Sequence, residues 1–140
     1  MTKQDKIKLM NSCSGFNMHN GIVISDISDE LCVVEGELKP QAMNPLGMAH
    51  GGFVYSLCDV AAGALVGQNG GEFVTLSANM SYLRPSQGTR LRAEGRLLKK
   101  GRTVCVVDTF VYDDQDRLGK GDSVSARLED GKIVLTKEKK

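Results

Sequence analysis

The chain has 140 residues, of which 41% are hydrophobic and 25% charged, and its formal net charge is +1. This length and composition are typical of one globular domain and exclude a disordered or collagen-like chain. The near-neutral charge gives no overall field that would attract nucleic acid or a membrane surface. No segment approaches the roughly 20 apolar residues of a membrane-spanning helix. We therefore expect a single domain over residues 1–140, with neither nucleic acid nor membrane as a partner.

The cysteines indicate a reducing compartment. The chain has four of them, Cys13, Cys32, Cys58 and Cys105. None lies at metal-ligand spacing from another, so no metal site is predicted. The polar start of the chain lacks the apolar run of a secretory signal. Reduced thiols in the cytoplasm are the expectation that follows.

The first third of the chain predicts one helix and two strands. Residues 3–12 mix apolar side chains with lysines, which indicates a short amphipathic helix. Gly15 and the polar residues up to Gly21 are expected to end it. Residues 21–27 and 31–38 predict two strands, and the polar segment between them suits a hairpin.

Residues 51–67 predict a long helix. Apolar residues recur there at intervals of three and four, at Phe53, Leu57, Val60, Ala61, Ala64 and Leu65. At 1.5 Å per residue such a helix is roughly 25 Å long. It is apolar around most of its circumference, so we expect it to be largely buried.

The rest of the chain predicts β structure. Alternating apolar and polar residues indicate strands at 73–84, 89–99, 102–113 and 117–128. We expect consecutive hairpins that form an antiparallel meander. The fold class is then α+β, with a curved sheet that covers the long helix on all sides. An N-terminal helix within residues 1–14 and a frayed tail at 136–140 complete the domain.

One segment resembles a known family. The residues from Asn44 to Asp59, NPLGMAHGGFVYSLCD, are similar to hotdog-fold acyl-CoA thioesterases. The closest likeness is to the phenylacetate-degradation (PaaI-like) subgroup of the 4-hydroxybenzoyl-CoA thioesterase superfamily, and residues 77–85 and 101–104 share it. The resemblance covers about residues 20–130. It implies the hotdog fold and hydrolysis of an acyl- or aryl-CoA to free acid and CoA, without a cofactor. It also implies a homodimer or homotetramer with active sites at the dimer interface.

Two residues of this segment are the main catalytic candidates. The unpaired N–H groups of a helix start carry partial positive charge, and the resemblance assigns the oxyanion contact to Gly51. Gly52 would let the CoA substrate approach closely, although two glycines can also be a simple helix cap. The resemblance makes Asp59 a general base or a nucleophile. The alternative for Asp59 is a structural carboxylate.

Three further residues are candidates with weaker signals. Asn44 could donate to a carbonyl or hold a water, or be an ordinary turn residue before a proline. His50 could orient the loop or assist the departing thiol. Thr75 aligns with a hydroxyl residue that supports the attacking water in the relatives, although threonine is also a common strand residue.

Basic residues could hold the CoA phosphates by charge-assisted hydrogen bonds. The candidates are Arg84, Lys120 and the turn of residues 99–102, within which Lys100 and Arg102 stand out. The alternative is that these residues are solvated hairpin tips, and the sequence does not choose among them.

Two other functions are alternatives to the thioesterase. A hotdog hydratase or dehydratase would carry a different pairing of histidine and acid. A non-catalytic acyl-CoA binder or sensor would not need Asp59 and Asn44. Cys58 is a poor nucleophile candidate because a reactive thiol requires a setting that lowers its pKa. The acyl group is open, since Phe53, Tyr55 and Tyr82 could line a pocket or belong to the core.

Overall fold

The computed structural model describes residues 1–135, and the tail predicted at 136–140 lies outside the described residues. The predicted N-terminal helix is confirmed as α1 (Lys3–Ser12), which begins with a reciprocal cap between Thr2 and Asp5. The polar segment expected to be a break forms a second short helix, α2 (Gly15–His19). Its start is capped by Ser14, whose hydroxyl oxygen accepts from the N–H of Asn17 at 3.2 Å.

The remaining elements match the predicted ones closely. They are β1 (Ile22–Ile27), β2 (Leu31–Glu37), a 3-10 turn (Pro40–Ala42), α3 (Gly51–Gly67), β3 (Glu72–Tyr82), β4 (Arg90–Lys100), β5 (Val104–Tyr112), β6 (Arg117–Glu129) and β7 (Lys132–Val134). Among the helices described, none combines the length and apolar character that crossing a membrane requires.

The strands form one antiparallel sheet in the order β1-β2-β4-β5-β6-β3, with β7 paired to β6. The predicted meander is therefore wrong at one point. β3 does not pair with β4 but lies at the edge of the sheet beside β6, while β2 takes the place next to β4. The two long edges of the sheet are consequently β1 and β3.

The link between β3 and β4 explains this difference. It is too long for a tight turn and contains Pro85, and it passes the ends of β5 and β6 instead of folding back. The carboxylates of the β5–β6 turn hold it in place. Asp113 accepts from the N–H of Gln87 at 2.7 Å, and Asp114 accepts from the N–H of Thr89 at 2.9 Å.

Asp113 is the anchor of this turn. Its side chain is fully buried, and its carboxylate accepts hydrogen bonds from both terminal nitrogens of Arg84, at 2.8 and 2.7 Å. It also accepts backbone N–H groups of Gln115 and Asp116. The Arg84 guanidinium is the main cause that holds the pKa of Asp113 well below its usual range. Two strand connections therefore depend on one carboxylate.

The helix α3 packs tightly on the concave side of the sheet. Leu57, Ala61 and Leu65 are almost completely buried in the core. Gly95 of β4 allows the closest approach, because a Cβ atom there would lie 3.2 Å from the backbone carbon of Ala61. This distance is tighter than ordinary van der Waals contact, so a side chain at position 95 would require α3 or β4 to shift.

The sheet covers only part of α3, unlike the predicted cover on all sides. A stripe that includes Gly52, Tyr55, Asp59 and Gly63 is exposed in the single chain. Successive members of the stripe are three or four positions apart, so they share one face of the helix. The candidate acid therefore lies on the open side of α3.

We expect Gly95→Ala to lower the free energy of unfolding by about 1–3 kcal/mol, because overpacking pushes α3 away from the sheet. Urea unfolding measures the change. Gly67→Ala is the matched control, since a Cβ atom at Gly67 meets nothing within 4 Å. Equal stabilities of the two variants would contradict the close contact.

We expect Asp113→Asn to lower stability by roughly 3 kcal/mol at neutral pH, because it leaves the Arg84 guanidinium without its partner charge. The depressed pKa means that the stabilisation is present above the unfolded pKa, near 4, and is lost as pH falls below it. The difference from wild type should therefore shrink progressively as pH falls below about 5 and toward the depressed pKa of Asp113. Thermal unfolding at several pH values tests this, with the exposed Asp29→Asn as control. A difference that does not change with pH would contradict the ion pair's role.

Candidate active site

A closed loop leads into α3. The side-chain oxygen of Asn44 accepts from the N–H groups of Leu46 and Met48 at 2.9 and 3.1 Å. The backbone N–H of Asn44 donates to the carbonyl of Met48 at 2.7 Å, and Gly47 takes a positive φ of 77°. The amide nitrogen of Asn44 has no acceptor within residues 1–135, so it remains able to donate to a ligand.

His50 caps the helix. Its Nδ1 accepts from the N–H of Gly52 at 2.8 Å, and its carbonyl accepts from the N–H of Phe53 at 3.0 Å. A neutral imidazole that accepts at Nδ1 carries its proton on Nε2. Since His50 is exposed, this N–H can reach a ligand.

Gly51 keeps the free donor at the helix start. Its N–H has no acceptor within the described residues, whereas that of Gly52 is engaged by His50. The predicted oxyanion donor and the free N–H are thus the same group. Gly52 can contribute to substrate binding only through the absence of a side chain, since its N–H is occupied.

Two residues that the sequence did not assign to this end of α3 hold it in place. The hydroxyl of Tyr82 donates to the carbonyl of Gly51 at 2.8 Å. The hydroxyl oxygen of Ser86 accepts from the N–H of Ala49 at 2.8 Å. Burial raises the pKa of Tyr82 from its ordinary value, so its proton stays in place as the donor. No local sequence signal points to either contact.

Asp59 is held by one hydrogen bond. The hydroxyl of Thr75, on β3, donates to its Oδ1 at 2.9 Å. The side chain of Asp59 is exposed on the open stripe of α3. A threonine hydroxyl fixes one carboxylate oxygen and leaves the other available, which suits a group that must accept a proton or attack.

Gly51 and Asp59 are separated along the helix. They are eight residues apart, which corresponds to about 12 Å of helix. Both groups cannot touch the same thioester carbonyl within one chain, because an oxyanion donor must lie about 3 Å from the oxygen. Within one chain, a bound carbonyl could therefore contact either the Gly51 N–H or the Asp59 carboxylate, but not both.

The basic residues predicted to bind phosphate have different surroundings in the structure, and Arg84 is engaged in hydrogen bonds within the chain. Besides Asp113, the Arg84 guanidinium donates to the carbonyls of Pro85, Asp116 and Arg117. This gives Arg84 a structural role and leaves it little capacity for a phosphate. The sequence could not reveal this, because Asp113 is 29 residues away.

Lys100 and Arg102 are exposed at the β4–β5 turn. Gly36 of β2 packs on Phe53, near the start of α3, and pairs with Leu91, near the start of β4. The start of β4 is therefore close to the start of α3, and the end of β4 is close to the C-terminal end of α3. At about 3.3 Å per residue, Lys100 is roughly 30 Å further along β4 than Leu91. Within one chain, these basic residues are therefore far from Gly51.

Cys58 points into the core. Burial raises the pKa of its thiol to about 11, so the thiolate is scarce at neutral pH. This agrees with the expectation that Cys58 is not the nucleophile. Within residues 1–135, no three His, Cys, Asp or Glu side chains come together in a way that could hold a metal ion.

Known proteins share this arrangement of elements. The family model described as "Thioesterase superfamily" matches residues 46–120, just over half of the chain. The proofreading thioesterase EntH of Klebsiella pneumoniae is 28% identical over 102 residues, which are 71% of this chain and 74% of that protein.

Two solved structures add to the comparison. A mutant of the phenylacetic acid degradation protein PaaI from Thermus thermophilus has a TM-score of 0.77 and 26% identity, and covers 82% of this chain and 100% of its own. A hypothetical thioesterase from Streptococcus pneumoniae with coenzyme A has a TM-score of 0.76 and 26% identity, and covers 87% and 96%. The PaaI-like resemblance and the hotdog fold are thereby confirmed, and the chain belongs to the thioesterase superfamily as a hydrolase of thioesters.

Proposed function

We propose that this protein is an acyl-CoA thioesterase that hydrolyses an acyl- or aryl-CoA to free acid and CoA. The observation that supports this most is the exposed carboxylate of Asp59, held by Thr75 on a helix that has no other charged residue. Asp59 acts either as general base toward a water or as nucleophile on the carbonyl carbon. Either way, it supplies the attack on the thioester.

The start of α3 supplies the other half of the chemistry. The free N–H of Gly51 stabilises the negative charge that develops on the carbonyl oxygen. The amide of Asn44 provides a second donor nearby on the loop. His50 keeps the loop in place and presents its Nε2 proton toward the departing thiolate. No metal or cofactor is required by these steps.

A second copy of the chain completes the site in this proposal. Asp59 and Gly51 of one chain are about 12 Å apart, so the donor must come from a partner. Asp59 is bonded to β3, which is an uncovered edge strand of 11 residues. Long open edges favour pairing with another copy. We therefore propose a homodimer through β3, either alone or paired with a second dimer into a homotetramer.

The same dimer accounts for the basic residues. Antiparallel pairing across β3 brings the C-terminal end of one α3 beside the N-terminal end of the other. Lys100 and Arg102 of one copy then lie toward Gly51 of its partner, where the CoA phosphates would be bound. The four free cysteines suit a reducing compartment, and we propose the cytoplasm.

We expect Asp59→Asn to lower kcat/KM by at least ~10²-fold, the lower range for a positioned acid–base group. Release of free thiol from acetyl-, hexanoyl-, palmitoyl-, benzoyl- and phenylacetyl-CoA is the measurement. Asp29→Asn, which removes an exposed carboxylate of the β1–β2 turn, is the control and should retain full activity. A wild type that binds acyl-CoA but releases no thiol would favour the binding protein or sensor instead.

Thr75 is a positioning residue, and its loss should have a smaller effect. We expect Thr75→Val to reduce kcat about tenfold with little change in KM, since a hydrogen bond to a charged group is worth roughly 1.5–3 kcal/mol. Thr75→Ser keeps the hydroxyl and should restore kcat. If both variants behave alike, the hydroxyl does not position Asp59.

A further inference from the structure

A groove of about 680 Å³ runs along α3 on the side away from β3. One wall is the open stripe of α3, and the other comes from α1, α2 and Ile24 of β1. Its apolar lining includes Met10, Phe16, Val60 and Ala64, and Asp59 lies at its margin. This volume is within the range of about 300–1,000 Å³ that is usual for small-molecule pockets.

The position of the groove keeps it free in the proposed dimer. β1 and β3 form opposite edges of the sheet. A second copy paired to β3 would cover the Thr75 side of Asp59 and not the side facing α1 and α2. The groove therefore remains available to a ligand whose reacting carbon lies at Asp59.

Gly63 leaves the floor of the groove open. It lies one turn beyond Asp59 on the same face, and a Cβ atom there would meet nothing within 4 Å. Glycine within a helix costs about 1 kcal/mol relative to alanine, and Gly63 has no positive φ that would require it. What glycine provides at this position is therefore open space in the groove, which any larger side chain would fill.

We propose that this groove binds the acyl group of the substrate, that this group is an aliphatic chain of medium length, and that Gly63 sets its maximum length. The proposal rests on the thioesterase function and on the role of Asp59 given above. Four aliphatic side chains and two aromatic ones line the groove. The groove is an open channel along a helix, which fits an extended chain better than a flat ring.

The size of the groove determines the chain length. From Asp59 to Ala64 the helix advances about 8 Å. An extended chain advances roughly 1.2 Å per bond, as the three bonds and 3.3–3.6 Å of a peptide residue imply. Hexanoyl and octanoyl groups therefore span the groove, and a palmitoyl group extends beyond it.

The first experiment fills the space at Gly63 with a larger side chain. We expect Gly63→Leu to lower kcat/KM for octanoyl-CoA at least ~10-fold relative to acetyl-CoA, since even one methylene in a pocket is worth ~10-fold or more. Gly67→Leu is the control, because it adds the same side chain one turn further along, outside the groove. An equal loss for all chain lengths, or an unchanged profile, would overturn the proposal. Elution volume and circular dichroism of each variant verify dimer and fold.

The second experiment does not depend on hydrolysis. Cys13 lines the groove and is exposed, whereas Cys32, Cys58 and Cys105 are buried. In the Asp59→Asn variant, octanoyl-CoA should slow the reaction of Cys13 with a maleimide at least ~5-fold by occupying the groove. Free CoA and acetyl-CoA should protect it little. Mass spectrometry of the labelled peptide gives the rates.

The two experiments separate the two proposals. Protection of Cys13 in a protein whose wild type releases no thiol would support the acyl groove and reject the thioesterase function. Thiol release by the wild type without protection by octanoyl-CoA would reject the groove alone. Stronger protection by benzoyl- or phenylacetyl-CoA than by octanoyl-CoA would overturn the aliphatic assignment in favour of an aryl group.

Discussion

The close contact between α3 and the sheet positions Gly51 and Asp59, the two main catalytic candidates. At Gly95 a Cβ atom would lie 3.2 Å from the backbone of Ala61, and at Gly36 the ring of Phe53 lies 2.7 Å from where a Cβ atom would be. These two glycines fix α3 near its start and near its middle. Because Gly51 and Asp59 belong to this one rigid element, their spacing is set by the helix and cannot adjust to a substrate. In the proposed dimer, the second copy supplies the group that one chain cannot bring to the same carbonyl.

The local part of the fold could be predicted from the sequence, and the pairing of the strands could not. Residues 51–67 carry a strong three- and four-residue period, and α3 has these bounds. The pairing of β3 depends instead on where the link after Tyr82 is held. That link is bound by Asp113 and Asp114, about 25 residues further on. Hydrophobic alternation contains no information about such distant contacts, so a meander was the natural but wrong expectation. The helix α2 is too short for periodicity to reveal.

The candidate site shows the same division. The family resemblance of the segment from Asn44 to Asp59 names the candidate residues, and the helix start within it is a local feature that the sequence also indicates. It cannot show which N–H is free, and the structure gives that of Gly52 to His50 and leaves that of Gly51. The role of Arg84 was equally hidden, since a basic residue looks the same in sequence whether it binds a phosphate or a buried carboxylate. Tyr82 and Ser86 support the site through contacts between segments that are distant in the chain.

The apolar character of α3 has more than one physical reason. Core packing explains only the side that carries Leu57, Ala61 and Leu65. The open stripe includes Gly52 and Gly63, and the apolar Val60 and Ala64 lie beside it and are only partly buried in the single chain. Cover by the proposed second copy and by an acyl chain would explain why these positions carry small or apolar residues. The two flanks of the stripe face opposite edges of the sheet, so a second copy and an acyl chain can cover them without competing. Asp59 lies on the boundary between these flanks, and its electrostatic effect on a thioester would be greatest when both covers exclude water.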